Sequence, residues 1–216
     1  MSLKTVVVIT GAAPLRRRAL AAIPDDAVLI AADGGLDHAL GAGLAPDVLV
    51  GDLDSVTASS LSWASTRAEI VRHPIDKDVT DTELALAHAA GLTPDRVMLV
   101  AGGGDRIDHA IAALGALGAP ALQAVAHVDG WWGDDRLFVA TASRCVTLPH
   151  SRGAVFSLLA LHGPCSGVTV TGARWPLASF DLDPVAGRGV SNEVLEPPVT
   201  VSASAGVLTV IVPGGL

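Results

Sequence analysis

Apolar residues come in short, unbroken, β-branched runs over the first 130 positions, and in brief runs separated by turns after that. The change divides the sequence. In the first part, residues 5–10, 28–32, 48–50, 70–71 and 97–101 read as strands, and continuous apolar runs of this length suit a parallel sheet buried on both faces. Segments 16–22, 36–43, 57–65, 82–90 and 107–117 between them read as helices, several closed by glycine or stopped by proline. A further strand starts at 124–127, and Trp131-Trp132 fall in a stretch rich in Gly and Asp that reads as a loop. Strands alternating with helices predict an α/β domain with a mainly parallel, doubly wound sheet. Beyond it, 136–140, 143–148, 155–161, 167–172, 199–203 and 207–212 are strand-like runs with no helical period, which predicts a smaller all-β sandwich. The expected domains are residues 1–140 and 141–216.

Composition narrows the class. The chain has 216 residues, half of them hydrophobic but only 3% aromatic, so Ala, Val and Leu must build the core. Fourteen bases against 22 acids give a net charge of −8, which argues against a nucleic-acid partner but not against a nucleotide. Cys145 and Cys165 form no C-x-x-C pair and read as buried thiols of a cytosolic protein rather than as a disulfide framework. The first apolar run is too short for a signal peptide, and no run is long enough to span a bilayer. A cytoplasmic protein without a membrane partner is therefore expected.

The chemistry-bearing residues cluster at strand ends. Asp52 and Asp54 follow the run 48–50 in Gly51-Asp52-Leu53-Asp54-Ser55, and an i, i+2 pair leaving a strand shares one face. Ligands of open α/β sheets bind outside the carboxyl ends of strands, and hard oxygen ligands with few bases nearby suit Mg²⁺ working with substrate phosphates. A helix cap by Asp54 or Ser55 is the plainer alternative. Asp33-Gly34-Gly35 closes the second strand with an acid and a glycine turn. Asp76-Lys77-Asp78-Val79-Thr80-Asp81 supplies more acids than the capping box Thr80-x-x-Glu83 requires, with Lys77 as an internal counterion or a phosphate ligand. Gly102-Gly103-Gly104-Asp105-Arg106 opens a helix, a setting for anion-binding N–H groups, but it matches neither a Walker loop nor G-x-G-x-x-G.

Together these motifs resemble the thiamine pyrophosphokinase family. The matching residues are Ala32–Gly35, Gly51–Ser55, Asp76–Asp81 and Arg106–His109, then Ser157–Leu159, Gly172-Ala173-Arg174-Trp175-Pro176-Leu177 and Ser191-Asn192-Glu193, in family order over nearly the whole chain. The resemblance implies transfer of the diphosphoryl group of ATP to the thiamine hydroxyl, with Mg²⁺, giving thiamine diphosphate and AMP. It implies a nucleotide- and metal-binding catalytic α/β domain and a thiamine-binding β-sandwich. It also implies a homodimer whose active sites combine the α/β domain of one subunit with the β domain of the other. Carried over, Asp33, Asp52, Asp54 and Asp81 surround the metal and Asp78 supports them in the catalytic cluster. Gly34, Lys77, Gly104, Arg106 and Asp108 meet ATP, and Trp175, Ser191 and Asn192 bind thiamine from the partner subunit. An indole stacking on the cationic thiazolium fits that role; without the resemblance Trp175 reads as a core or turn aromatic. Two positions depart from the family pattern: Asp105 stands inside the Gly-Gly-Arg motif, and Ala113 stands where an Asn is common. Two other readings compete. Asp52-x-Asp54-x-Val56 also fits the nucleophile motif of haloacid-dehalogenase-type phosphatases, and a sensor of the same fold could bind thiamine or nucleotide without turnover.

Overall fold

The computed structural model describes residues 4–11, 13–103, 106–184 and 186–214. It divides into two compact units between Asp134 and Asp135.

The first unit alternates as its pattern predicts: β1 (Thr5–Thr10), α1 (Arg17–Ala21), β2 (Val28–Ala32), α2 (Gly35–Gly41), β3 (Val48–Gly51), α3 (Ala58–Arg67), β4 (Glu69–Arg72), α4 (Asp81–Gly91), β5 (Arg96–Ala101), α5 (Ile107–Ala116) and β6 (His127–Trp132). Its strands run in the order β6-β5-β1-β2-β3-β4, and each of these neighbouring pairs is parallel. The chain winds outward from β1 to β4 and then returns to the other side of β1 for β5, so the order reverses beside β1. That is the switch point at which such sheets bind ligands. The core explains the unbroken apolar runs. Val7 and Ile9 of β1 pack with Met98 and Val100 of β5 against Ala19 and Ala39 of α1 and α2. Ala31 and Leu49 pack with Leu36, Leu53 and Ala64 on the side of α2 and α3. Alternate residues such as Val8, Ile30 and Val50 are equally buried and by the pleat point to the opposite face. Helix α4 contacts β1, β2 and β3 through its buried Ala85, Leu86 and Ala89.

The tryptophan segment differs from the sequence expectation. Residues 127–132 are a strand, in register with β5 from Arg96–His127 to Ala101–Trp132. Asp129 is tolerated inside it because Arg96 donates to both its oxygens, Nε to Oδ2 and Nη2 to Oδ1, each at 2.8 Å. A bidentate guanidinium–carboxylate pair offsets the desolvation of both charges. Gly130 is no turn residue: a Cβ there would lie 2.6 Å from the carbonyl oxygen of Leu99.

Helix entry is fixed by side-chain oxygens. Asp37 on α2 accepts from the Thr57 N–H at 3.1 Å, the Thr57 hydroxyl at 2.5 Å and the Ser60 hydroxyl at 2.5 Å, which fastens the start of α3. Burial pushes the Asp37 carboxyl up, but the bonds from Ser60 and Thr57 outweigh it and hold the group below its ordinary value. A depressed folded-state pKa stabilises above the unfolded value and is lost as pH falls through the folded one. Asp37→Ala is therefore expected to lower stability by about 1–3 kcal/mol at neutral pH, and the gap between variant and wild type should close in acid. Urea unfolding midpoints at pH 7 and pH 3 check both parts, and an equal gap at both pH values contradicts the assignment.

The second unit is all β: β7 (Asp135–Thr141), β8 (Val146–Leu148), β9 (Val155–Leu159), β10 (Cys165–Thr171), β11 (Leu177–Leu182), β12 (Asn192–Glu193), β13 (Val199–Ser202) and β14 (Val207–Val212). Its sheets run β12-β9-β14-β7 and β11-β10-β13-β8, and its ladders are antiparallel. One core holds both sheets, with Phe156, Leu158, Leu208 and Val210 from the first and Leu148, Val168, Val170, Val199 and Val201 from the second. Strands β11 and β12 escape the sequence pattern. The ladder between β10 and β11 shifts register twice, Ser179 takes a positive φ of 50°, and β12 is two residues long. Both cysteines are free thiols; Cys165 is buried as expected, whereas Cys145 is exposed. Among the described residues no helix is long and apolar enough to cross a membrane.

Candidate active site

The carboxyl ends of β1, β2 and β3 meet the first turn of α4. Asp33 follows β2, with its N–H donating to the Val50 carbonyl at 2.9 Å. Asp52 follows β3. Asp81 is the first residue of α4, placed by the capping box in which Thr80 and Glu83 exchange hydrogen bonds. Thr10, the last residue of β1, is hydrogen-bonded through its hydroxyl to that of Thr82 at 2.8 Å. One oxygen from each of Asp33, Asp52 and Asp81 lies within 4.8 Å of the others.

Close approach at this corner depends on glycine. A Cβ on Gly51 would fall 3.0 Å from Asp81 Oδ1 and 3.1 Å from the Asp33 Cβ, and its φ of +149° also disfavours a side chain. At Gly35 a Cβ would fall 2.3 Å from the Ile9 carbonyl oxygen, so the start of α2 rests directly on the backbone of β1. Two non-glycine residues take left-handed conformations here, Asp33 at φ 45° and Leu53 at φ 71°. Such strain persists only where surrounding structure over-determines it, and it concentrates at functional sites.

The charges are unevenly balanced. Lys77 donates to Asp52 Oδ2 at 2.5 Å and stands 3.2 Å from Asp81 Oδ1, an ion-pair contact without hydrogen-bond alignment. Asp33 Oδ1 and Asp81 Oδ1 are both buried without a hydrogen-bond partner. Burial raises the Asp33 carboxyl above its ordinary value, and the charges of Asp81 and Asp52 push the same way against hydrogen bonds from Ser55 and Gly34. The Lys77 hydrogen bond holds Asp52 below its ordinary value, and Asp52 in turn raises Lys77. Asp33, Gly34, Lys77 and Asp81 line a cavity of about 300 Å³, closed elsewhere by Thr10, Ser55, Thr82, His109, Ala113 and Trp132.

Other expected residues lie apart from this triad. Asp54 is exposed and accepts from the neighbouring Ser55 hydroxyl at 2.9 Å. The strand ends at Gly51 and Leu53 turns left-handed, so the two-residue period that would align Asp54 with Asp52 is broken. Asp78 is exposed. Arg106 and Asp108 pair with each other at 2.6 Å at the start of α5, which pushes the Asp108 carboxyl down to about 2. Gly104 and Asp105 lie outside the described residues. Thr10, Thr82 and Trp132 are cavity residues that the sequence reading passed over. The strand-end rule applied to β1 was the signal for Thr10.

A second recess, of about 500 Å³, lies within the β unit and is lined by Arg174, Trp175, Arg188, Gly189, Val190 and Asn192. Trp175 is 55% exposed, so it is no core aromatic. Buried Asn192 fixes it: the Trp175 N–H donates to Asn192 Oδ1 at 3.2 Å, and Asn192 Nδ2 donates to the Trp175 carbonyl at 2.8 Å. Arg174 stacks on the indole at 5.2 Å and pairs with Glu193 at 3.1 Å. Ser191 has φ 58°, and its N–H donates to the Ser157 hydroxyl at 3.1 Å.

A parallel sheet whose strand ends gather carboxylates and an ammonium beside a cavity defines an α/β protein with a site suited to a metal ion and anionic oxygens. Residues 21–126 match the family model for the thiamin pyrophosphokinase catalytic domain, and residues 145–208 match that for the thiamin pyrophosphokinase vitamin B1 binding domain. The chain belongs to the thiamin pyrophosphokinase family, enzymes that transfer the diphosphoryl group of ATP to thiamine. Solved structures agree in fold. Thiamine pyrophosphokinase from Bacillus subtilis superposes with a TM-score of 0.82 at 22% identity, covering 99% of this chain and 100% of that one. A thiamin pyrophosphokinase family protein from Enterococcus faecalis gives 0.76 at 24% identity, covering 97% and 98%. Thiamin pyrophosphokinase from Candida albicans gives 0.76 at 14% identity, covering 96% and 89%. A comparison with curated protein sequences found no match.

Proposed function

We propose that the enzyme carries out its diphosphoryl transfer at the corner formed by Asp33, Asp52 and Asp81, with Mg²⁺ held there and ATP lying along Gly34 and Lys77. The observation that supports this reading is the convergence of three carboxylate oxygens within 4.8 Å, two of these acids presenting a buried oxygen without a hydrogen-bond partner. Hard oxygen donors of this kind fit a Mg²⁺ ion that keeps part of its water shell. When bound, the ion supplies charge neutralisation to the crowded phosphates.

The chain's own groups do the rest. Lys77, and Arg106 with Asp108 at the start of α5, order the phosphates and the nucleotide. Asp54 and Asp78 contribute negative charge around the site without donating a ligand atom. Residues 1–140 form the catalytic part and 141–216 the thiamine-binding part. Trp175 stacks on the cationic heterocycle with Ser191 and Asn192 beside it, and these three come from the partner subunit of a homodimer. The dimer draws support from α5, whose Ile107 and Ile111 are 76% and 64% exposed one turn apart, an apolar stripe of the kind that interfaces cover. Two free thiols are in keeping with a cytoplasmic enzyme.

The reaction is distinguished from ordinary kinase chemistry by its nucleotide product. An ordinary kinase transfers the γ-phosphoryl and releases ADP; attack at the β-phosphorus releases AMP. Incubation with ATP, Mg²⁺ and thiamine is expected to give AMP and thiamine diphosphate in equal amounts, with AMP nearly abolished when thiamine is omitted. Chromatographic separation of the nucleotides checks this. ADP with thiamine monophosphate overturns the reading, and free phosphate released without an acceptor points to a phosphatase.

A further inference from the structure

Three carboxylates converge at the site, and the cation in contact with them among the described residues is Lys77. Its ammonium lies between two of the three, at 2.5 Å from Asp52 Oδ2 and 3.2 Å from Asp81 Oδ1. The Pro74 carbonyl takes a second donor bond at 3.2 Å. The side chains are enclosed, at 13% exposure for Lys77 and 8% for Asp52. An ammonium held between two carboxylates in this way does a cation's work: it offsets the mutual repulsion of the acids.

We infer that Lys77 is an exchangeable internal counterion, which holds Asp52 and Asp81 in place of the divalent ion and moves to the phosphates of the nucleotide when the ion enters. The inference rests on the metal site proposed above. A divalent cation drawing on the oxygens that Lys77 contacts would stand within a few ångströms of the ammonium, and like charges at such range repel strongly in a partly dry site. The ion therefore enters as the ammonium leaves. Lys77 already lines the cavity beside Asp33 and Gly34, so its flexible stem needs only to swing toward anionic phosphate oxygens there. The exchange makes metal and nucleotide binding mutually reinforcing. A free metal ion must displace a bonded lysine, whereas a metal–nucleotide complex brings the lysine its new partner.

The test is equilibrium binding of Mn²⁺, read by electron paramagnetic resonance, to the full chain with and without α,β-methylene-ATP. Wild-type protein is expected to bind Mn²⁺ weakly alone and at least tenfold more tightly with the analogue. Lys77→Gln removes the competing charge, so it should bind Mn²⁺ about tenfold more tightly than wild type without nucleotide, and the gain from the analogue should shrink. Lys77→Arg keeps the charge and should behave like wild type in the nucleotide-free measurement; it also keeps the test alive if Lys77→Gln does not fold, because a tightened Arg variant contradicts the exchange. Mn²⁺ binding that Asp81→Asn abolishes but Lys77→Gln leaves unchanged or weakens overturns the exchange and leaves the metal site standing. Binding indifferent to Asp81→Asn overturns the metal site, and the exchange with it.

Discussion

Asp81→Asn should yield a folded protein whose Mg²⁺-dependent turnover is lower by about a hundredfold or more. The substitution keeps the size of the side chain and leaves Thr80 and Glu83 to cap α4; it withdraws the helix-dipole contribution of a first-turn acid, about 0.3–1 kcal/mol, and the ion-pair contact with Lys77. The catalytic effect is larger because a metal ion supplies several kcal/mol of charge stabilisation in the transition state, and each ~1.4 kcal/mol is a factor of ten. Asp33→Asn should behave alike, since its buried Oδ1 faces the same corner without a hydrogen-bond partner. Asp54→Asn is the contrasting variant: exposed and bonded to Ser55, it should lose less than about tenfold. Steady-state rates at saturating Mg²⁺, with circular dichroism to establish folding, decide the matter. A folded Asp81→Asn enzyme near the wild-type rate removes Asp81 from the metal site.

The second large effect is a recovery. Asp81→Asn and Trp175→Ala subunits are each expected to be inactive or nearly so, one lacking a metal ligand and the other the thiamine platform. In a two-fold dimer with sites built from both chains, a mixed dimer pairs both lesions in one site and leaves the other site intact. Dissociating and remixing equal amounts makes half the dimers mixed, so about a quarter of the wild-type rate should return. Trp175→Ala removes an exposed ring, and folding should survive it. Activity that stays at the level of the separate variants, while labelled subunits are seen to exchange, means that each site is built within one chain.

The α/β unit was legible because its strands are buried on both faces. Val6 to Ile9 are all fully buried, and a run with no polar member admits few other readings. The same logic failed at residues 128–132, where Asp129 and Gly130 look like turn residues in isolation. Each is accounted for by a neighbour on β5, the acid by Arg96 and the glycine by the backbone of Leu99. No local pattern carries that information. In the β unit the register shifts of β11 and the brevity of β12 erase the two-residue period on which strand reading depends. At the site, the motif acids were visible one by one, and their grouping came from the family resemblance rather than from any local pattern. Asp52 and Asp54 look paired because a strand aligns alternate residues, yet the backbone leaves the extended conformation between them. Asp33 and Asp81 look unrelated, and only the packing of α4 on β1, β2 and β3 brings them together.

The left-handed turns at Asp33 and Leu53 bear on how this protein can change over time. Glycine would relax either backbone, and strain of this type costs roughly 1–3 kcal/mol per residue. Relaxing Asp33 removes a carboxylate from the cluster. Relaxing Leu53 empties part of the core it shares with Leu36, Leu49 and Ala64. Selection for durability and selection for turnover therefore pull in opposite directions at this corner. A lineage adapting to heat would find its gains elsewhere, in loops and in the β unit, and would carry these two uncomfortable residues unchanged.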